Sequence, residues 1–152
     1  MNTVSLIEKL KNNEQTISTM ESCTGGALAS EITNHSGSSN VFENGAITYS
    51  NEAKVRYGVS REIIEKYTVY SKETAVDMSK SIAEYFNTTY GVGITGQLEE
   101  LLKNRKVDIA IYNKEKNIYN SFSIQLQDGL TRKECKEQII IKTIQELNNF
   151  IG

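Results

Sequence analysis

Two polar stretches, Glu21-Ser22-Cys23-Thr24-Gly25-Gly26 and Thr48-Tyr49-Ser50-Asn51-Glu52-Ala53-Lys54, carry the side-chain types that amide hydrolysis needs. That reaction requires a nucleophile, a base that later serves as an acid, and donors for the developing oxyanion. Ser22 can attack a carboxamide carbon, but a serine hydroxyl is a weak nucleophile until a base takes its proton. The one histidine, His35, sits among the turn formers Asn34-His35-Ser36-Gly37-Ser38-Ser39 and reads as a solvated loop residue. Lys54 is the better base, provided burial or a neighbouring positive charge lowers its pKa toward neutrality. Tyr49 can relay the proton or hold the amine. Backbone amides near Thr24, Gly25 and Gly26 can form an oxyanion hole or bind a phosphate.

Each of these residues also has a plainer reading. Ser22 suits a helix cap, Lys54 an exposed helix position and Tyr49 an ordinary strand. Cys23, next to the candidate nucleophile, reads as a small buried apolar residue because no histidine stands in support. Arg132 either caps a solvated face or clamps a phosphate. The two stretches together, in order, favour a catalytic origin.

The elements around them must do the positioning. Thr16 to Met20 reads as a strand and Ala27 to Ile32 as a helix, so the first stretch lies on a strand–turn–helix junction. Such a junction has unpaired N–H groups and a positive dipole end, which suits an anion. Val41 to Tyr49 reads as a strand delivering the second stretch, with short helices over Asn51 to Tyr57 and Arg61 to Lys66 broken at Gly58. A longer helix runs from Ser71 to about Asn87, with Ala75, Met78, Ile82, Tyr85 and Phe86 on its apolar face. Tyr90 to Gly96 reads as a buried strand. Val107 to Tyr112 and Tyr119 to Leu126 form a hairpin. Short helices over Val4 to Leu10 and a long one over Thr131 to Phe150 complete the alternation, which argues for a layered α/β domain spanning 1–152. Ser22, Tyr49, Lys54 and Thr95 should then meet at one rim of the sheet.

Composition excludes several classes. Seventeen Lys and Arg against nineteen Asp and Glu leave no global basic field for nucleic acid or an anionic membrane. The longest apolar run, Ile139-Ile140-Ile141, is far too short to span a bilayer. Two cysteines without CxxC spacing make neither a disulfide framework nor a zinc site. The expectation is a cytoplasmic protein with no metal or cofactor.

Glu21 to Gly26, Gly37-Ser38-Ser39 before Phe42, Thr48 to Lys54 with Gly58-Val59-Ser60, Val69 with Ser71, Gly93-Ile94-Thr95-Gly96, and Arg132 with Lys136 together resemble the nicotinamide-nucleotide amidase family, also known as the CinA C-terminal domain. The resemblance covers almost the whole chain in the right order. It implies an α/β fold, a three-layer α/β/α sandwich with a central mixed sheet, and hydrolysis of nicotinamide mononucleotide to nicotinate mononucleotide and ammonia. It implies catalytic roles for Ser22, Lys54 and Tyr49, substrate contacts from Thr24, Gly25, Gly26, Thr48, Thr95 and Arg132, and a homodimer or larger homo-oligomer. The hairpin Val107 to Leu126, with Tyr112, Tyr119 and Phe122, offers either an aromatic edge strand for pairing or a core-facing hairpin with a solvated back.

The chain departs from the family after Thr95-Gly96. A glycine- and proline-rich loop is usual there, whereas this chain has Gln97 to Lys106, rich in Leu, Glu and Lys. Such a segment favours a helical turn and cannot offer the close backbone approach of glycines. Thr131 also replaces the usual acidic residue before the last-helix arginine. Two functional classes follow: an active nucleotide amidase, or a non-catalytic nucleotide-binding or regulatory module that lost activity with its glycine-rich loop.

Overall fold

In the computed structural model, which describes residues 1–152, five strands form one mixed sheet in the order β2-β1-β3-β4-β5. Strands β1 (Ile17–Glu21), β2 (Gly45–Ile47) and β3 (Tyr90–Gly96) are parallel, while β4 (Lys106–Asn113) and β5 (Ile118–Gln125) add an antiparallel hairpin. Helices α1 (Thr3–Asn12), α2 (Ala27–Thr33) and α6 (Arg132–Phe150) cover one face. Helices α4 (Arg61–Tyr67) and α5 (Lys72–Phe86) cover the other, with the short α3 (Asn51–Arg56) at the rim. The three-layer α/β/α expectation holds.

Strand alternation divides the core. Ile17, Val92, Ile94, Val107, Ile109 and Ile111 point toward α1, α2 and α6 and form the larger apolar cluster. The opposite face carries small side chains so that α5 can come close. A Cβ at Gly91 would sit 2.0 Å from the Ser79 carbonyl oxygen, and one at Gly93 would sit 2.4 Å from that of Ala75. Only glycine admits the helix backbone at that distance. Ser18, on the same face, hydrogen-bonds to the Ile82 carbonyl at 3.2 Å and so satisfies its hydroxyl in the dry layer.

Caps set the helix starts. Ser50, Ser60 and Ser71 each accept the backbone N–H three residues on, opening α3, α4 and α5. Thr131 opens α6 through a reciprocal capping box with Glu134.

Three expectations change. The run Val41 to Tyr49 yields a strand only over Gly45–Ile47. Val41 and Phe42 instead donate their N–H groups to the Ser38 carbonyl, closing a 3-10 turn at Ser38–Asn40. Tyr85 is 58% exposed rather than packed beneath α5, and its ring packs at a tilt against Tyr57 with centroids 4.8 Å apart. Of the helical turn expected over Gln97 to Lys106, the structure keeps a single hydrogen-bonded turn between Glu99 and Leu102, and the rest of the segment is irregular up to β4. Gly96 pairs with Val107 across adjacent antiparallel strands, so the segment must double back on itself. Buried Arg105 fixes that path by donating to the carbonyls of Leu98, Gln127 and Leu130. No helix of the chain is long and apolar enough to cross a membrane.

Candidate active site

At the carboxyl ends of β1 and β3 lies a cleft of about 340 Å³, lined by Ser22, Tyr49, Lys54, Thr95 and Arg132 among others. Its volume falls in the range of about 300–1,000 Å³ usual for small-molecule sites. Parallel strands deliver their following loops to the same rim, which is why residues far apart in sequence converge there. Ser22 directly follows β1, Thr95 ends β3, and Lys54 comes in on the first turn of helix after β2.

Lys54 is fully enclosed, at 2% exposure. Its Nζ lies 3.0 Å from Ser22 Oγ and donates to the Thr48 carbonyl at 2.6 Å. No carboxylate pairs with it. Burial therefore pulls its pKa down from 10.5 to about 8, since charge without a counter-ion is costly in a low-dielectric setting. The arrangement is a nucleophile in hydrogen-bond contact with an amine that loses its proton near pH 8.

Tyr49 lines the cleft, but its hydroxyl accepts a 2.7 Å hydrogen bond from Arg132 Nη2 and makes none with Ser22 or Lys54. The structure thus joins Tyr49 to the arginine rather than to the proposed proton path. Thr95 lines the cleft and donates to the Val69 carbonyl at 2.7 Å, tying β3 to the chain that leads into α5. Thr48 contributes its backbone carbonyl, while its buried Oγ1 has no partner.

Thr24, Gly25 and Gly26 lie outside the cleft. Gly25 and Gly26 have positive φ values of 60° and 104° and shape a separate depression beside Thr19 and Ala46. The anion site expected at the start of α2 is already filled. The Glu21 carboxylate, 1% exposed, accepts the Thr24 hydroxyl at 2.7 Å and the N–H groups of Leu28 at 2.8 Å and Ala29 at 3.0 Å. A side chain from the preceding strand thus supplies the negative charge that the helix end attracts. Sequence reading missed this role. Its signal was a carboxylate ending a strand just before a Gly-Gly turn into a helix.

The Cys23 N–H, beside Ser22 in the cleft lining, donates to no backbone carbonyl and is a donor available to an oxyanion. The Cys23 thiol is pushed up to about 12, chiefly by burial, so it is not a competing nucleophile. His35 stands apart from the cleft. It pairs with Glu31 at 2.7 Å, half-buried rather than free in solvent as expected. No group of three or more His, Cys, Asp and Glu side chains converges to hold a metal ion. Glu99 and Leu98, from the divergent segment, complete the cleft wall and were given no role from sequence.

A family model described as CinA C-terminal domain matches residues 2–151. A Clostridium botulinum relative whose name refers to competence-damage induction is 52% identical over 82 residues, 53% of this chain and 20% of that protein. A CinA-like protein of Kosmotoga olearia is 49% identical over 92 residues, 60% of this chain and 22% of its own length. The matched stretch is thus about a fifth of each relative. Among solved structures, a competence or damage-inducible protein from Enterobacter asburiae superposes with TM-score 0.90 at 22% identity, covering 99% of this chain and 96% of that one. The competence/damage inducible protein of Agrobacterium tumefaciens superposes with TM-score 0.88 at 24% identity, covering 95% and 90%. At these identities the superpositions establish the fold.

Proposed function

The chain belongs to the CinA C-terminal domain family, and from that premise we propose that it hydrolyses the carboxamide of nicotinamide mononucleotide to nicotinate mononucleotide and ammonia. The observation that carries this reading is the buried contact of 3.0 Å between Lys54 Nζ and Ser22 Oγ at the floor of the cleft. With Lys54 neutral, its lone pair takes the Ser22 proton as Oγ bonds to the amide carbon. The carbonyl oxygen gathers negative charge against the Cys23 N–H. Lys54 then returns the proton to the leaving nitrogen, ammonia departs, and an acyl ester on Ser22 remains. Water attacks that ester with Lys54 again as base, regenerating the serine and releasing the carboxylate.

Arg132 faces the cleft from the start of α6 and is the group suited to the ligand's phosphate. We read the protein as cytoplasmic and as a homodimer or larger homo-oligomer. In support of assembly, β5 is an edge strand with Ile118 at 49% and Tyr119 at 46% exposure.

The test is ammonia release from nicotinamide mononucleotide by the purified protein. Ser22→Ala is expected to lower kcat by at least about 10³-fold with the fold intact, and Lys54→Ala nearly as much, because the pair acts as a unit. Arg132→Ala is expected to raise KM, since a phosphate contact is present in ground and transition states alike. Turnover unchanged in Ser22→Ala excludes the serine mechanism.

A second reading, a nucleotide-binding module without turnover, is favoured by the divergent wall. Leu98, Glu99 and Leu102 stand where glycines would let backbone amides reach the ligand. Nucleotide binding without ammonia release selects this reading.

A further inference from the structure

Arg132 opens α6, a helix of 19 residues, at the position after its N-cap. A cation there faces the positive end of the helix dipole, so the helix itself gives no electrostatic reason for the charge. Helix capping is handled without it, because Glu134 is committed to the capping box with Thr131. The compensation for Arg132 comes instead from the segment that departs from the family. Its Nη1 lies 3.6 Å from Glu99 Oε2, and its backbone N–H donates to Glu100 Oε1 at 3.1 Å. Nη2 is taken by Tyr49. Glu99 is the only carboxylate lining the cleft, against the two cations Lys54 and Arg132.

Glu99 is also held in place. Leu98, 2% exposed, anchors the chain just before it, and the Leu98 carbonyl accepts from buried Arg105 at 3.1 Å. The Leu102 N–H closes the turn onto the Glu99 carbonyl at 3.1 Å. The carboxylate therefore stands on a braced turn at the edge of the cleft, beside the guanidinium a phosphate would need.

We propose that Glu99 is a specificity-determining gate on the anion end of this cleft: its carboxylate stands 3.6 Å from the Arg132 guanidinium as a charge pair in the free protein, and a ligand's phosphate must displace it. The proposal deepens the reading of the cleft as a nucleotide site and rests on it. Arg132 carries one positive charge in this part of the cleft, and the Glu99 carboxylate and a phosphate compete for it. A phosphate arriving without displacing Glu99 would also lie beside a like charge. The side chains of Arg132 and Glu99 are 42% and 55% exposed, so the pair is weak and displaceable. The gate therefore costs phosphorylated ligands a few-fold in affinity without excluding them, and leaves ligands lacking the phosphate unaffected.

The test is calorimetric binding of nicotinamide mononucleotide and of its nucleoside, nicotinamide riboside, to the full chain and two variants. Glu99→Gln removes the gate. Glu115→Gln, in the β4–β5 turn at the opposite end of the sheet, controls for net charge. Glu99→Gln is expected to tighten mononucleotide binding by about two- to fivefold, leaving the riboside unchanged, and Glu115→Gln to change neither. Equal tightening for both ligands, no change, weaker mononucleotide binding, an equal effect from Glu115→Gln, or no mononucleotide binding by any variant overturns the gate. Tighter mononucleotide binding in Glu99→Gln without ammonia release upholds the gate and overturns only the hydrolytic reading.

Discussion

Lys54 is buried beside a hydroxyl and a carbonyl but no carboxylate, and this combination has two measurable consequences. With its pKa drawn down to about 8 by burial, only about a tenth of the amine is neutral at pH 7. If Lys54 is the base, kcat/KM rises with pH and levels off above about 8, whereas a flat profile between pH 6 and 9 would remove it from that role. The second consequence concerns stability. A lysine whose folded pKa lies below its unfolded value binds fewer protons when folded, so its contribution is fully present above the unfolded pKa of 10.5 and is lost as pH falls through about 8. The unfolding free energy of the unmutated protein minus that of Lys54→Met is therefore expected to climb from pH 8 to 10.5 and stay level below 8. Denaturant titrations across that range check the slope.

At the scale of elements, the first strand–turn–helix junction depends on one carboxylate and the α5–β3 contact on two glycines. Glu21→Ala removes the acceptor for the Thr24 hydroxyl and for the Leu28 and Ala29 N–H groups, in a largely buried site. Charge-assisted bonds and buried unpaired donors put the expected loss at about 2–4 kcal/mol, read from urea unfolding. Ser22 is the next residue, so loosening this junction should also lower turnover. A result within about 0.5 kcal/mol of the parent, the range of ordinary surface substitutions, would contradict the capping role. Gly93→Ala places a methyl 2.4 Å from the Ala75 carbonyl and 2.7 Å from Met78 Cβ. Pushing α5 off the sheet is expected to cost about 1–3 kcal/mol, and an unchanged denaturation midpoint would show that the layers are not so tightly apposed.

For the molecule as a whole, the sheet has two edges of different character. β2 is three residues long, and a short edge strand resists pairing. β5 is eight residues long, with Ile118 and Tyr119 exposed. Assembly through β5 is therefore the expected route to a homo-oligomer. Light scattering at micromolar concentration should report at least a dimer, and a proline at Ser121 should weaken it by disrupting β5. A monomer in the unmutated protein counts against assembly.

The alternation of apolar periods, the serine and threonine caps, and the order of the two polar stretches were legible in the sequence because they depend on local spacing. They anticipated the layered fold and every helix longer than one turn, and identified Ser22 and Lys54 as a candidate pair. Local spacing could not report that Val41 and Phe42 would serve a 3-10 turn instead of β2, because their own preference is for strand and it is overridden by their N–H bonds to the Ser38 carbonyl. Nor could it report that Glu21 would fill the helix end assigned to a substrate anion, or that Tyr49 would bond to Arg132, 83 residues away. The helical tendency of Gln97 to Lys106 gave way to the pairing of Gly96 with Val107 and to the buried Arg105. Residue types set which chemistry was available. Which groups are already partnered, and which remain free for a ligand, was decided by tertiary structure, because hydrogen-bond partners and burial are set by neighbours distant in the chain.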